Sequence, residues 1–339
     1  MNNPVEVLIT LPFSEALVKQ IGEVSPRLHI HAMVARKVDE VSPELWAQVE
    51  VLYTNRVLPT QEQAPRLAWI QAHWAGIDHA VDAPILQRPD LIVTSLSGTS
   101  APQMAEHALM MLLALGHHLP EAFQHQRRAE WPAGRWELFS PVELRGSTVG
   151  IIGYGSVGRQ IARLLHAFEA TVLATKRDVM HPEDTGYTLE GLGDPGGDLV
   201  HRLYPPQALR SMLKECDFVV VCVPRTPATL NLLGADELAV LKPGAALVDI
   251  SRGGIVDHGA LIPLLRDRKL AGAALDVFPN EPLPTDSPLW KLPNVIITPH
   301  VAGFSPRYDE RAVALFVENL RRYLAGLPLY NRLQLEKGY

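Results

Sequence analysis

Four stretches of this sequence carry residue types that together could move a proton and grip an anion. "NVIITPHVAG" places His300 straight after a β-branched run and Pro299, with Gly303 leaving room beside the ring. "ALDVFPNEPLP" carries Asp276 at the end of an apolar run and Glu281 in the turn that follows. "LVDISRGGIVD" ends another apolar run on Ser251 and Arg252, followed by two glycines. "TVGIIGYGSVGRQIARLL" spaces Gly153, Gly155 and Gly158 as G-x-G-x-x-G between an apolar run and an amphipathic one. An imidazole titrates near neutrality and can give or take a proton. A carboxylate beside such a ring favours its charged form and fixes its orientation. A guanidinium keeps its charge and presents a fork that fits a carboxylate or a polarised carbonyl. Each residue alone has a plainer use: a packed histidine, a salt-bridged strand end, a turn glutamate beside proline. Their joint occurrence at strand ends is what points to chemistry.

The glycine triplet has a specific meaning in its strand-turn-helix setting. Gly153 permits the tight turn, Gly155 lets a pyrophosphate approach the backbone, and Gly158 lets helix pack close to strand. Tyr154, Ser156 and Val157 complete the loop, and the helix start offers unpaired N–H groups and a positive dipole end to phosphate. A bound dinucleotide is expected. In NAD sites an Asp or Glu about 20 residues further on takes the ribose hydroxyls. Here the next run, "ATVLATKRD", ends on Thr175, Lys176 and Arg177, with Asp178 standing late. A carboxylate would repel a 2′-phosphate, whereas Lys176 and Arg177 attract one, so NADP is favoured over NAD.

These strand ends need a frame. The chain has 339 residues, which suits two domains. Apolar residues make up 47% and charged residues 20%, the balance of a soluble globular protein. A net charge of −6 without a basic block argues against a nucleic-acid partner. "MNNPVEVLIT" lacks the pattern of a secretory signal, and the longest apolar helix candidate, Ala105 to Leu115, is too short for a bilayer. Cys216 and Cys222, in "CDFVVVC", stand roughly 20 Å apart if extended, too far for a disulfide. A reducing, cytoplasmic location is the simplest expectation.

The first hundred residues alternate strands ("VEVLIT", "LHIHAMV", "VEVLYT", "LAWIQAHWAG", "LIVTS") with helical patterns such as Ser14 to Ile21. That rhythm predicts a parallel α/β sheet. The texture changes at Ser97-Gly98-Thr99-Ser100. From Ala101 to Leu119 the chain is apolar on nearly every side, which predicts a helix buried between domains or at a subunit interface. A second βα series follows: "TVGIIG", "ATVLAT", "DFVVVCV", "AALVDIS", "GAALDVF" and "VIITPH", the last read as an interior strand. Asp178 to Pro206 is rich in Gly, Pro and charge and reads as a surface excursion, either mobile or covering the cofactor's adenine end. In a doubly wound sheet ligands sit at the carboxyl ends of strands, where Arg252, Glu281 and His300 all fall.

With these residues in place the chain resembles the D-2-hydroxyacid dehydrogenase family. "GIIGYGSVGRQIA", "VCVPRTPATLNLLG", "LVDISRGGIVD", "ALDVFPNEPLP" and "NVIITPHVAG" stand in family order, and the resemblance spans about residues 65 to 325. It implies an α/β fold of two Rossmann-like or flavodoxin-like lobes with doubly wound parallel sheets. A dinucleotide-binding domain (99–304) would be inserted into a discontinuous substrate domain (1–98 and 305–339), and the lobes would close over the ligands. The resemblance implies Arg252 as the family's arginine, Glu281 as its glutamate and His300 as its acid–base histidine. It implies cofactor contacts from Val223, Pro224, Thr229, Ser251, Arg252 and His300. It also implies one from Asp276 to the nicotinamide amide, with a purely structural role for that carboxylate equally open.

Ala75, Gly76 and Ile77 of "QAHWAGIDHAV" match the loop whose N–H groups hold a substrate carboxylate, with His73 and Trp74 nearby. Trp136 matches a tryptophan near the domain junction, and Ser97-Gly98 replaces a common Pro-Gly hinge. The implied activity is D-specific hydride transfer between NAD(P)H and a small 2-oxo or 2-hydroxy acid, by a homodimer without a metal site. Glu281 speaks against the formate dehydrogenase branch, which lacks it. The alternative is a dinucleotide-sensing, corepressor-like binding protein with little turnover.

Overall fold

The computed structural model describes residues 3–76, 80 and 82–333, so the expectation for Ile77 lies outside the described residues. The chain divides into two compact units, residues 1–100 with 305–339, and residues 101–304.

The first unit opens with β1 (Val5–Ile9), α1 (Glu15–Gly22), β2 (Leu28–Ala32), α2 (Pro43–Trp46), β3 (Val51–Thr54), β4 (Trp69–Ala72) and β5 (Ile92–Thr94). The strands pair in parallel in the order β2-β1-β3-β4-β5. Ser14 starts α1 by accepting a hydrogen bond from the Leu17 N–H, the role a hydroxyl plays just ahead of a helix. Both faces of the sheet are covered: Val5, Val7 and Ile9 pack with Ile21 on one, Leu8, Leu52 and Ile70 with Trp46 on the other. Double coverage explains why these strands are almost continuously apolar rather than alternating.

The second unit begins with α3 (Ala101–Gly116), α4 (Leu119–Arg127) and α5 (Arg135–Leu138). Then come β6 (Thr148–Ile152), α6 (Ser156–Ala167), β7 (Thr171–Thr175), β8 (Arg202–Tyr204), α7 (Leu209–Leu213) and β9 (Phe218–Val221). The series ends with α8 (Ala235–Ala239), β10 (Ala246–Asp249), α9 (His258–Arg266), β11 (Gly272–Leu275) and β12 (Val295–Ile297). The strands form a parallel sheet in the order β12-β11-β10-β9-β6-β7-β8. Strand order reverses at β6, which lies between β7 and β9, and a doubly wound sheet opens its ligand crevice at such a point. The chain then returns to the first unit with α10 (Tyr308–Leu324), whose Val313, Phe316, Val317 and Leu320 pack under β1 and β3.

Two expectations need correction. β12 is an edge strand, not an interior one, and its three residues are only half-buried. A β-branched run shows that apolar cover exists, not how many neighbours the strand has, and a following Pro299 suits an edge because it donates nothing to a ladder. The excursion after β7 is not wholly irregular, since it returns through β8, which pairs beside β7. The α3 helix is buried along Ala105, Ala108 and Leu112, and Met110 is half-exposed in the single chain. Among the described residues no helix is long and apolar enough to cross a membrane.

Candidate active site

The glycine-rich loop leaves the end of β6 as its three glycines dictate. Gly153 has φ +107°, and a Cβ there would stand 2.8 Å from Val223 Cγ1, so only glycine lets the loop lie against the end of β9. A Cβ on Gly158 would stand 2.2 Å from the Gly153 carbonyl oxygen, so this glycine sets the close approach of α6 to the loop. A Cβ on Gly155 would meet nothing within 4 Å. Open space therefore lies over the residue that precedes α6, whose first N–H groups have no acceptor within the helix. A dinucleotide pyrophosphate fits that cradle in charge and in room.

Neighbouring strand ends surround the loop. Thr175 at the end of β7 accepts hydrogen bonds from the Gly153 N–H through its hydroxyl (3.1 Å) and from the Tyr154 N–H through its carbonyl (2.9 Å). Lys176 follows, its ammonium donating to the carbonyls of His181 and Glu183. Burial, with the nearby Arg159 charge, lowers the pKa of Lys176. The exposed Arg177 stands next to it. Beyond β9, Val223 touches the loop, and the turn from Pro224 is closed by the Thr229 hydroxyl, which donates to the Pro224 carbonyl at 2.7 Å. Cys222 donates its thiol to the Gly153 carbonyl, and burial pushes that thiol up to about 12.

At the end of β10, Asp249 organises the Ser251-Arg252 turn: its Oδ1 accepts from both the N–H and the hydroxyl of Ser251. Burial pushes the Asp249 carboxyl up to about 7, against the opposing pull of those Ser251 hydrogen bonds. The Arg252 guanidinium donates to the Ser251 carbonyl at 2.8 Å. A Cβ on Gly253 would lie 1.9 Å from the Phe278 carbonyl oxygen, so the Arg252 turn lies directly against the turn that carries Glu281.

Glu281 uses both carboxylate oxygens. Oε1 accepts from the Phe278 N–H at 2.9 Å, and Oε2 stands 2.7 Å from His300 Nδ1. The His300 and Glu281 side chains are 42% and 36% exposed, so the pair is open to a ligand. His300 itself lies in the left-handed region at φ +54°. Its N–H donates to the Asp276 carbonyl at 2.9 Å. The buried Asp276 carboxylate accepts from the Thr298 hydroxyl (2.6 Å), the Val301 N–H (2.9 Å) and the Ala302 N–H (2.9 Å). That carboxylate is thus committed to holding the His300 turn. His107 of α3 stands behind it, its Nε2 3.3 Å from the Thr298 hydroxyl, and burial lowers the pKa of that ring.

The structure joins Glu281 to His300, packs the turns of Arg252 and Glu281 together, and sets all three on the carboxyl edge that bears the glycine-rich loop. Asp249, His107 and Arg159 escaped the sequence reading. An acid inside an apolar strand end, as in "LVDIS", was the available signal for Asp249.

In the first unit, Ala75 and Gly76 follow the carboxyl end of β4, with Ala75 exposed. His73 before them is held by the Tyr53 hydroxyl at 2.9 Å from Nδ1, by Asp309 at 3.7 Å from Nε2, and by the Tyr308 hydroxyl donating to its carbonyl. Burial lowers the pKa of His73, with Asp309 opposing. Trp136 is 74% exposed on α5, with the Arg135 guanidinium over its ring.

A family model described as "D-isomer specific 2-hydroxyacid dehydrogenase, NAD binding domain" matches residues 109–302. The chain is 33% identical over 269 residues to a glyoxylate reductase of Pyrococcus furiosus, covering 78% of this chain and 75% of that protein. It is 29% identical over 322 residues to a D-3-phosphoglycerate dehydrogenase of Methanocaldococcus jannaschii, covering 95% of this chain and 58% of that protein. The chain thus spans little more than half the length of such relatives. A solved D-isomer specific 2-hydroxyacid dehydrogenase from Xanthobacter autotrophicus, in complex with NADPH and MES, is similar at a TM-score of 0.80 and 29% identity, covering 99% of this chain and 100% of that one.

Proposed function

The chain belongs to the D-isomer specific 2-hydroxyacid dehydrogenase family, and from that premise we propose that it is an oxidoreductase transferring a hydride between a nicotinamide dinucleotide and a small 2-oxo or D-2-hydroxy acid. The observation that carries this reading is the Glu281–His300 pair, 2.7 Å apart on the carboxyl edge of the sheet that bears the glycine-rich loop. When bound, the dinucleotide supplies or accepts the hydride. Glu281 holds His300 through Nδ1, which leaves Nε2 as the nitrogen that exchanges a proton with substrate oxygen. During reduction the charged ring gives that proton to the carbonyl oxygen; during oxidation the neutral ring takes it back. Arg252 provides a fixed charge for the carboxylate or the polarised carbonyl. The backbone N–H groups of the Ala75-Gly76 turn are assigned to the acid's carboxylate.

NADP is assigned ahead of NAD. Lys176 and Arg177 occupy the strand end where an NAD site carries an acid, and the Xanthobacter relative is described with NADPH. A homodimer is also part of the reading. Met110, Phe123, Trp131, Trp136, Leu138 and Val142 expose apolar surface along α3, α4, α5 and the adjoining loops, and Trp131 is 85% exposed. The two free thiols, Cys216 and Cys222, suit a reducing cytoplasm.

The test is NAD(P)H oxidation with glyoxylate, hydroxypyruvate and branched 2-oxo acids. His300→Ala is expected to lower kcat by about 10²–10⁴-fold and to leave the NADPH Kd nearly unchanged. Equal loss of both contradicts the proton-transfer role, and no turnover on any acid by the unaltered protein favours a dinucleotide-sensing protein.

A further inference from the structure

Between β7 and β8 the chain makes a long detour that hydride transfer does not call for. It is tied at several points to the elements that would hold the dinucleotide. Arg159, in the first turn of α6 and next to Gly158, is 2% exposed. Its guanidinium donates to the carbonyls of Asp194 and Pro182, lies 3.5 Å from the Asp184 carboxylate, and covers the Tyr154 ring at 4.7 Å. Tyr154, inside the glycine-rich loop, donates its hydroxyl to Asp194 Oδ2 at 2.5 Å. Gln160 accepts from the Gly193 N–H at 2.7 Å. Asp194 also accepts from the N–H groups of Asp198 and Leu199, which closes the far limb of the detour. A Cβ on Gly197 would lie 2.8 Å from the Pro182 carbonyl oxygen, so the two limbs lie against each other. Leu199 and Val200 pack on the core that contains Tyr154 and Ile161.

A surface loop that merely closed a gap would not bury an arginine. A buried charge is costly unless paired and hydrogen-bonded, and here the partners come almost entirely from the detour. Without it, Arg159 would be an ordinary solvated residue on α6. The detour also grips Lys176, taking two of the three donors of its ammonium and leaving one.

We propose that residues 180–199 form a fixed wall of the adenosine end of the dinucleotide site, and that Arg159 is the positioning residue locking this wall to the glycine-rich loop. The wall holds Lys176 with one donor directed to a ribose phosphate, so that affinity for the adenosine half depends on a residue that never touches the ligand. The proposal rests on the dinucleotide reading given above and extends it to a segment that reading does not use.

The experiment measures binding of 2′,5′-ADP, an adenosine-end probe without nicotinamide, together with steady-state kinetics in NADPH. The full-length protein is compared with Arg159→Met, Arg159→Lys and Asp194→Asn. Arg159→Met should weaken 2′,5′-ADP and raise the NADPH KM by about tenfold, the scale of one lost charge-assisted hydrogen bond. The kcat at saturating NADPH and the KM for the 2-oxo acid should stay in place. Arg159→Lys should recover part of the affinity, because an ammonium can still reach one carbonyl. Asp194→Asn should show the same KM-against-kcat split at smaller size and serves if Arg159→Met does not fold. Unchanged 2′,5′-ADP affinity in folded Arg159→Lys and Asp194→Asn, with only a lower Tm, overturns the proposal while leaving the functional reading intact. If the unaltered protein binds neither NADPH, NADH nor 2′,5′-ADP, the functional reading itself is overturned, and this proposal with it.

Discussion

Replacing Glu281 by glutamine changes a single atom and should cripple proton delivery. The two oxygens of Glu281 serve two donors, the Phe278 N–H at 2.9 Å and His300 Nδ1 at 2.7 Å. Glutamine has only one acceptor oxygen. The Phe278 donor is backbone and cannot turn away, so the glutamine oxygen stays with it and the NH₂ group faces Nδ1. A charged imidazolium carries a hydrogen on both nitrogens and would then confront another donor; the neutral ring with its hydrogen on Nε2 would not. A hydrogen bond to a charged group is worth ~1.5–3 kcal/mol net. The side chains are 42% and 36% exposed, and solvent-exposed pairs are worth ~1 kcal/mol or less, so the loss here is about 1 kcal/mol. That is roughly a fivefold loss of proton delivery.

In Glu281→Gln, kcat/KM for 2-oxo acid reduction near pH 7 should therefore fall about fivefold. NADPH consumption near pH 7 reads this, with NADPH affinity by titration as the control. An unchanged kcat/KM refutes the donor–acceptor reasoning. So does a loss of cofactor affinity as large as the loss of turnover, because the residue would then be shaping the fold instead of the proton donor.

Burial raises the Asp249 carboxyl from 3.8 to about 7, so between those values the folded state keeps a proton that the unfolded chain has released. Stability should decline as pH rises through that window, by an amount on the order of a few kcal/mol. Asp249→Asn cannot ionise and still offers Ser251 an acceptor, so its Tm should exceed that of the unaltered protein above pH 7 and match it near pH 4; parallel Tm curves would contradict this. Replacing Lys176 and Arg177 together by glutamine should weaken NADPH on the order of tenfold more than NADH. Fluorescence titration of both cofactors decides it, and an equal loss of both defeats the phosphate-reading role. Sedimentation should show a dimer that Trp131→Ser with Trp136→Ser converts to monomer, and a monomeric unaltered protein would dismiss the dimer.

Much of the frame could be read from residue types because the strands announce themselves. "TVGIIG" and "DFVVVCV" are short, β-branched and bounded by small residues, and they stand as β6 and β9. The glycine triplet was legible because Gly153 and Gly158 meet steric demands that no other residue satisfies, while Gly155 stands beside open space. What stayed hidden depends on partners far away in the chain. "VIITPH" tells of apolar cover but not of its place at the sheet edge. "RLY" is too short, and too close to Gly and Pro, to show as β8. Arg159 sits on an amphipathic helix where a charged residue reads as solvated, and only the fold-back of residues 180–199 buries it. Asp276 fitted a cofactor contact or a structural bond, and only the fold reveals which hydrogen bonds its carboxylate makes within its own turn.

That turn explains how His300, the proposed proton donor, is held without a rigid scaffold beneath it. A non-glycine residue at φ +54° costs on the order of 1–2 kcal/mol, and β12, at the sheet edge, has one neighbour to steady it. Asp276 compensates from the next strand end. Its carbonyl takes the His300 N–H, and its carboxylate takes the Thr298 hydroxyl and the Val301 and Ala302 N–H groups, so the residues on both sides of the histidine are bound to one buried side chain. Glu281 then has only the ring to orient, through a single bond to Nδ1. The division of labour has a physical reason. A carboxylate that must fix a backbone is best buried and fully hydrogen-bonded, whereas one that must stabilise a ring gaining and losing charge works best where the ring meets its substrate. Asp276 and Glu281, five residues apart in one turn, meet those opposite demands, and the proton can move at His300 without disturbing the backbone that presents it.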